Sequence, residues 1–110
     1  MRKVTKETVA GLVAGIKVSK SNTQVKELVE GLLYSMELHG NQIAELDHVT
    51  GKLTISDCTW RTPTTKERLN GILAYFKLPA ITQKNYVWYI GDEVWNGTKV
   101  FNVQKPLVCN

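Results

Sequence analysis

The chain has 110 residues, 43% of them hydrophobic and 22% charged. This balance fits one globular domain over residues 1–110 and excludes a disordered or fibrous chain. A net charge of +4 leans mildly toward anionic partners, but the charges are scattered rather than blocked, unlike those of a dedicated duplex-DNA binder.

The first predicted element is a helix from Thr5 to Ile16. Val9, Leu12, Val13 and Ile16 recur at i, i+3, i+4 and i+7, the spacing of one buried stripe. Thr5 is placed to cap its start, Glu7 falls in its first turn, and Gly15 is a natural stop. Lys17 to Thr23 reads as a polar connection.

The period then changes to two. Gln24–Leu28, Leu32–Leu38, Asn41–Asp47 and Lys52–Ser56 alternate apolar with polar residues, as half-buried strands do. Glu30-Gly31, Gly40-Asn41 and the segment Asp47-His48-Val49-Thr50-Gly51 separate them as turns. Such short connections favour an antiparallel meander, because parallel pairing needs a long crossover.

A second helix is predicted from Thr65 to Phe76, with Leu69, Ile72, Leu73 and Phe76 on its apolar stripe. Thr64 and Glu67 have the spacing of a capping box. Gly71 weakens the helix by roughly 1 kcal/mol relative to Ala, which a close backbone approach to the sheet would justify. Lys77 complements the helix dipole and Pro79 blocks continuation. Ala80–Gln83, Tyr86–Ile90, Glu93–Trp95 and Lys99–Val103 are again strand-like, with tight turns at Gly91-Asp92 and Asn96-Gly97. Gln104 to Asn110 reads as irregular. The order helix, strands, helix, strands implies an α+β fold, with two helices packed on an antiparallel sheet.

No run of about 18 apolar residues suggests a membrane span. The basic N-terminus lacks the apolar core and cleavage site of a signal peptide. Cys58 and Cys109 are therefore expected as free thiols in a cytosolic setting rather than as a disulfide. Neither they nor His39 and His48 have zinc-type spacing, so no metal or other cofactor is expected. Asp57 beside Cys58 would raise the thiol pKa rather than activate it, and no catalytic residues are assigned.

The most informative stretch runs from Thr59 to Gly71. Trp60, Arg61, Thr62, Thr64, Thr65 and Lys66 crowd what reads as a helix start, where unpaired backbone N–H groups and the helix dipole favour an anion. In the functional reading the threonines and their N–H groups hold a phosphate, Arg61 and Lys66 add charge, and Trp60 stacks on a base or ring. His39 and Asn41, at a strand end, are flanking contacts. In the plain reading Thr64 and Glu67 cap the helix, Trp60 fills the core, and Arg61 and Arg68 are solvated. The aromatic C-terminal half offers a further choice, because Trp88 and Tyr89 must face opposite sides of a strand; one aromatic outside the core would suit stacking or a protein interface.

Leu38-His39-Gly40-Asn41-Gln42-Ile43-Ala44, then Asp57-Cys58-Thr59-Trp60-Arg61-Thr62, then Thr64-Thr65-Lys66-Glu67-Arg68-Leu69-Asn70-Gly71 form a series. Gln83 to Tyr89 and Trp95-Asn96-Gly97 follow. The series resembles a family of small tailed-bacteriophage proteins with the pattern LHGN-x-IA, GW-x-T-x-TT-x-ERLNG, Q-x-x-x-x-W/Y and W-x-G. The resemblance covers residues 38 to 97, and Thr59 stands where the family usually has glycine. It implies a phage origin and expression in the host bacterial cytoplasm, and it assigns no activity. By analogy, small accessory phage proteins are often host-takeover or anti-defence factors.

Three binding roles follow. The first is sequestration of an anionic, nucleotide-like small molecule such as an immune signal, with a homo-oligomer enclosing the ligand. The second is blockade of a host or defence protein through exposed aromatics and sheet edges. The third is nucleic-acid binding, which salt would weaken steeply.

Overall fold

Alternating side chains and tight turns build most of this molecule. The computed structural model describes residues 1–103. The elements are α1 (Lys3–Ala14), β1 (Val18–Lys20), β2 (Thr23–Val29), β3 (Leu33–Leu38), β4 (Asn41–Asp47), β5 (Lys52–Ser56), α2 (Pro63–Tyr75), β6 (Ile81–Lys84), β7 (Val87–Ile90), β8 (Glu93–Val94) and β9 (Thr98–Asn102). The fold is α+β, and every strand pairing is antiparallel.

The strands form two sheets rather than one. Six lie in the order β1-β2-β3-β4-β5-β9 and three in the order β6-β7-β8. The chain leaves β5 through α2, makes a small meander, and returns as β9 to occupy the free edge of β5. With that edge taken, β6, β7 and β8 satisfy their backbone groups among themselves. Val18–Lys20, within the segment read as a connection, is a short edge strand on β2. Its polar Ser19 and Lys20 conceal it from a hydrophobicity pattern.

Register sets the core. Val25, Met36, Ala44 and Ile55 lie side by side across four strands, and Tyr34, Leu46 and Leu53 form the next row. All are buried and join Val9 and Leu12 of α1 and Leu69, Ile72 and Leu73 of α2 in one apolar cluster. A bulge between Met36 and Glu37 sets Ile43 and Ala44 against a single partner position. Both are buried, as an inserted residue in a strand allows.

The helix starts differ from the sequence expectation. α1 begins at Lys3, so Thr5 lies inside it rather than capping it. Its buried face is Thr5, Thr8, Val9 and Leu12, and Ile16 falls beyond its end, exposed. Gly15 does close the helix, with φ 73 and its N–H on the Gly11 carbonyl. At α2 the cap is Thr62, not Thr64: Thr62 is extended and its side chain accepts from the Thr65 N–H. Pro63 forces this choice, since it prefers the first helical position and holds the preceding residue extended. At Gly71 the close neighbour is α1, not the sheet. A Cβ there would collide with Thr5 Cγ2 and come within 3.2 Å of Val9 Cγ2.

Arg68, expected in solvent, is 1% exposed. Its Nε donates to Thr23 Oγ1 at 2.9 Å, and Nη1 donates to Thr5 Oγ1 at 2.8 Å and to the Glu67 carboxylate. Nη2 donates to Asn22 Oδ1 at 3.3 Å. One guanidinium thus joins α2, α1 and the turn between β1 and β2. A buried charge persists only when paired and hydrogen-bonded in this way. Partial burial works to raise the Glu67 pKa, but the Thr5 hydroxyl, the Arg2 N–H and the Arg68 charge outweigh it and hold the carboxyl below its ordinary value.

His48 also helps fix the core. Its Nε2 lies 2.9 Å from the Leu12 carbonyl and its ring meets Tyr34 edge-on at 5.0 Å. His48 therefore ties a loop to α1.

Candidate functional site

The turn from β5 into α2 is built on Asp57. Its backbone N–H donates to the Gly97 carbonyl at 2.9 Å, and its carbonyl accepts from the Trp60 N–H at 2.8 Å. Oδ1 accepts from the Thr59 N–H at 2.8 Å. Cys58 and Thr59 both sit in the left-handed region, at φ 52 and 59. This reverses the chain over two residues and directs Trp60 outward, so the indole does not fill the core. A β-branched residue in that conformation is strained, which accounts for a glycine at position 59 in the resembling sequences. Gly97 serves the same turn, because a Cβ there would stand 3.0 Å from both carboxylate oxygens of Asp57.

The eight residues singled out by sequence divide into two groups. Arg61 turns toward the small sheet. Its Nε donates to Asp57 Oδ2 at 2.7 Å, Nη2 donates to the Trp95 carbonyl at 2.8 Å, and the guanidinium lies 5.1 and 5.6 Å from the ring centres of Trp88 and Trp95. Those indoles stack at 6.2 Å, and each is 3% exposed. Lys66 follows, with Nζ 5.7 Å from the Trp88 ring centre and 3.3 Å from Gln83 Oε1. Both cations are engaged in holding the small sheet against α2.

The other six surround the turn: Trp60 and His39 are exposed, Asn41, Thr62 and Thr64 are half-buried, and Thr65 is buried. Trp60 is 53% exposed, and its ring lies 5.9 Å from that of His39, tilted by 37°. His39 heads the β3–β4 turn with φ 52, followed by Gly40 at φ 82. Positive φ at both positions is what a two-residue hairpin turn requires. Beneath the indole, Leu38, Asn41, Ile43, Cys58 and Thr65 line a cavity of about 10 Å³, room for one water at most. Thr62 lies beside Thr65, their hydroxyls 2.9 Å apart.

The helix start is largely satisfied. Pro63 has no N–H and the Thr65 N–H is capped by Thr62. The Thr64 N–H has no partner among the described residues. The Cys58 thiol is free and donates to the Gln42 carbonyl at 2.8 Å; Cys109 lies outside the described residues. Among the described residues no three of His, Cys, Asp and Glu gather as a metal site would require, and no helix is long and apolar enough to cross a membrane.

Sequence reasoning missed Asn22. Its carbonyl accepts the His39 N–H at 2.8 Å, and its Nδ2 lies 3.4 Å from His39 Nε2. A turn asparagine gives little notice of such a role. Arg68 did give notice, since positions 65, 68, 69 and 72 fall on one helical face.

No curated protein and no solved structure matches the chain. A family model does, over residues 1–106, under the description Kyanoviridae Gp96 protein. That match spans nearly the whole chain and agrees with the phage resemblance carried by residues 38 to 97. The chain belongs to the Kyanoviridae Gp96 protein family, a family of phage proteins.

Proposed function

We propose that this phage protein acts by binding rather than by catalysis, and that the corner formed by Trp60 and His39 is its contact face for a host or defence protein in the host cytoplasm. One observation carries the reading: Trp60 is 53% exposed while the other two tryptophans are 3% exposed. An exposed tryptophan on a hydrogen-bonded turn is a typical anchor of a protein interface. The small cavity beneath it favours a partner laid across the surface over a guest enclosed within one protomer.

A second reading keeps the anionic small molecule. The unpartnered Thr64 N–H and the half-buried Thr62 hydroxyl lie at a helix start, where a phosphate is favoured, although the Thr65 hydroxyl is buried and donates to the Trp60 carbonyl. Sequestration of a nucleotide-like immune signal would then need a second copy to close over it.

Capture from host lysate separates the two. A specific protein retained by the wild type and lost with Trp60→Ala supports the first reading. No such protein, together with a thermal shift from a cyclic nucleotide or ADP-ribose derivative, overturns it in favour of the second. A gel shift that vanishes as salt rises would instead identify a nucleic-acid partner.

A further inference from the structure

The contact corner is connected to the buried Arg68, and the connection has a direction. Arginine donates hydrogen bonds and accepts none. Arg68 Nε donates to Thr23 Oγ1 at 2.9 Å. That hydroxyl spends its own proton on Asn22 Oδ1 at 2.8 Å, where Arg68 Nη2 also donates at 3.3 Å. With two donors on its oxygen, the Asn22 amide turns its NH₂ group toward His39 Nε2, 3.4 Å away. An NH₂ group can only donate, so Nε2 must accept. The proton of the neutral ring then belongs on Nδ1, the opposite of the tautomer that an unconstrained imidazole favours. His39 is exposed, and its Nδ1 has no partner among the described residues.

We infer that Arg68, Thr23 and Asn22 are positioning residues that fix His39 as an Nδ1–H donor beside the open face of Trp60, so that the partner must supply an acceptor oxygen, such as a carbonyl or carboxylate, next to the group that covers the indole. This rests on the reading of the Trp60 corner as the contact face. The tautomer itself is a property of the free protein.

Two measurements test it. The first is long-range ¹H–¹⁵N correlation of the His39 ring in alkaline buffer, on the free protein. The wild type should show an unprotonated Nε2 and a protonated Nδ1. Asn22→Asp keeps an oxygen for Thr23 and Arg68 but presents an acceptor to the ring, so its Nε2 should become protonated. A wild type with its proton on Nε2, or a tautomer unchanged in Asn22→Asp, overturns the inference whatever the partner.

The second uses the protein captured from host lysate. His39→Asn places an amide donor near the Nδ1 position and should retain that protein. His39→Asp tolerates the same positive φ, offers no donor, and should lose it at least tenfold. Equal capture by both variants, while Trp60→Ala loses the protein, overturns the donor role and leaves the contact face standing. Capture unaffected by Trp60→Ala defeats the contact face, while the ring spectrum still decides the tautomer.

Discussion

Trp88 and Trp95 differ from Trp60 in what surrounds them more than in chemistry. The first two stack on one another beneath the Arg61 guanidinium, which is itself fixed by Asp57 and by the Trp95 carbonyl. Trp60, one residue before Arg61, packs against the His39 ring, and among the described residues no other ring and no cation lies against it. Adjacent residues of one turn meet different surroundings: Arg61 is bonded to the small sheet, and Trp60 is exposed. An aromatic beside a cation is therefore no guide to function until the hydrogen bonds of the cation are counted.

The largest test of that contrast is Arg61→Ala. It strips the charge partner from Asp57, a donor from the Trp95 carbonyl and the cover from two indoles. Breaking a buried pair costs about 3–5 kcal/mol. Arg61 retains 31% side-chain exposure, which lowers the expectation to roughly 2–3 kcal/mol, read as a lower urea midpoint. A loss within about 0.5 kcal/mol, the range of ordinary surface changes, would remove the structural role assigned to this arginine.

Acid should loosen the support behind His39. The folded Glu67 carboxyl titrates below its ordinary value, so its contribution is complete above the unfolded pKa of about 4.3 and is lost as pH falls through the lower folded value. Asp47 and Glu27 are lowered as well: Asp47 chiefly by the backbone N–H groups of Thr50 and Val49, and Glu27 by the Gly31 N–H and the Tyr34 hydroxyl. Urea midpoints should decline below about pH 4, and less steeply in Glu67→Gln. An identical slope in that variant would show that Glu67 has no part in it.

Thr59→Gly should stabilise the turn by about 1 kcal/mol. The left-handed conformation costs a residue with a Cβ about 1–2 kcal/mol, and the extra freedom of glycine in the unfolded chain returns part of that. Trp60→Ala should change stability by less than about 0.5 kcal/mol. A loss comparable to that of Arg61→Ala would mean the indole is structural and the contrast is false. Tyr86, 93% exposed at φ 66 beside Asn85 at φ 52, offers a smaller check. Tyr86→Gly creates Asn-Gly, the favoured pair for such a hairpin turn, and should leave the fold intact or slightly firmer.

Much of the architecture was legible because alternation reports burial directly. Tyr34, Met36 and Leu38 gave β3, and Leu53 and Ile55 gave β5. Turn chemistry marked the hairpin at Gly40, although the turn itself is His39-Gly40, with Asn41 already in β4. The division into two sheets was not legible, because it depends on which strand reaches the edge of β5, a matter of topology and not of pattern. The cap at Thr62 could have been read from Pro63. Arg68 was misjudged because its charge outweighed its place on the buried helical face. The candidate residues clustered along the chain, yet Arg61 and Lys66 contact the small sheet and Trp60 contacts His39. Local sequence cannot reveal that the Trp95 carbonyl and the Trp88 ring, some thirty residues further on, would claim the two cations.

Acrylamide quenching of tryptophan emission, with and without the protein captured from host lysate, addresses the contact face most directly. The free chain should show one readily quenched component, absent in Trp60→Phe, and that component should become protected when the captured protein is added. If it stays equally quenchable in the complex, the partner binds elsewhere and Trp60 is not the contact.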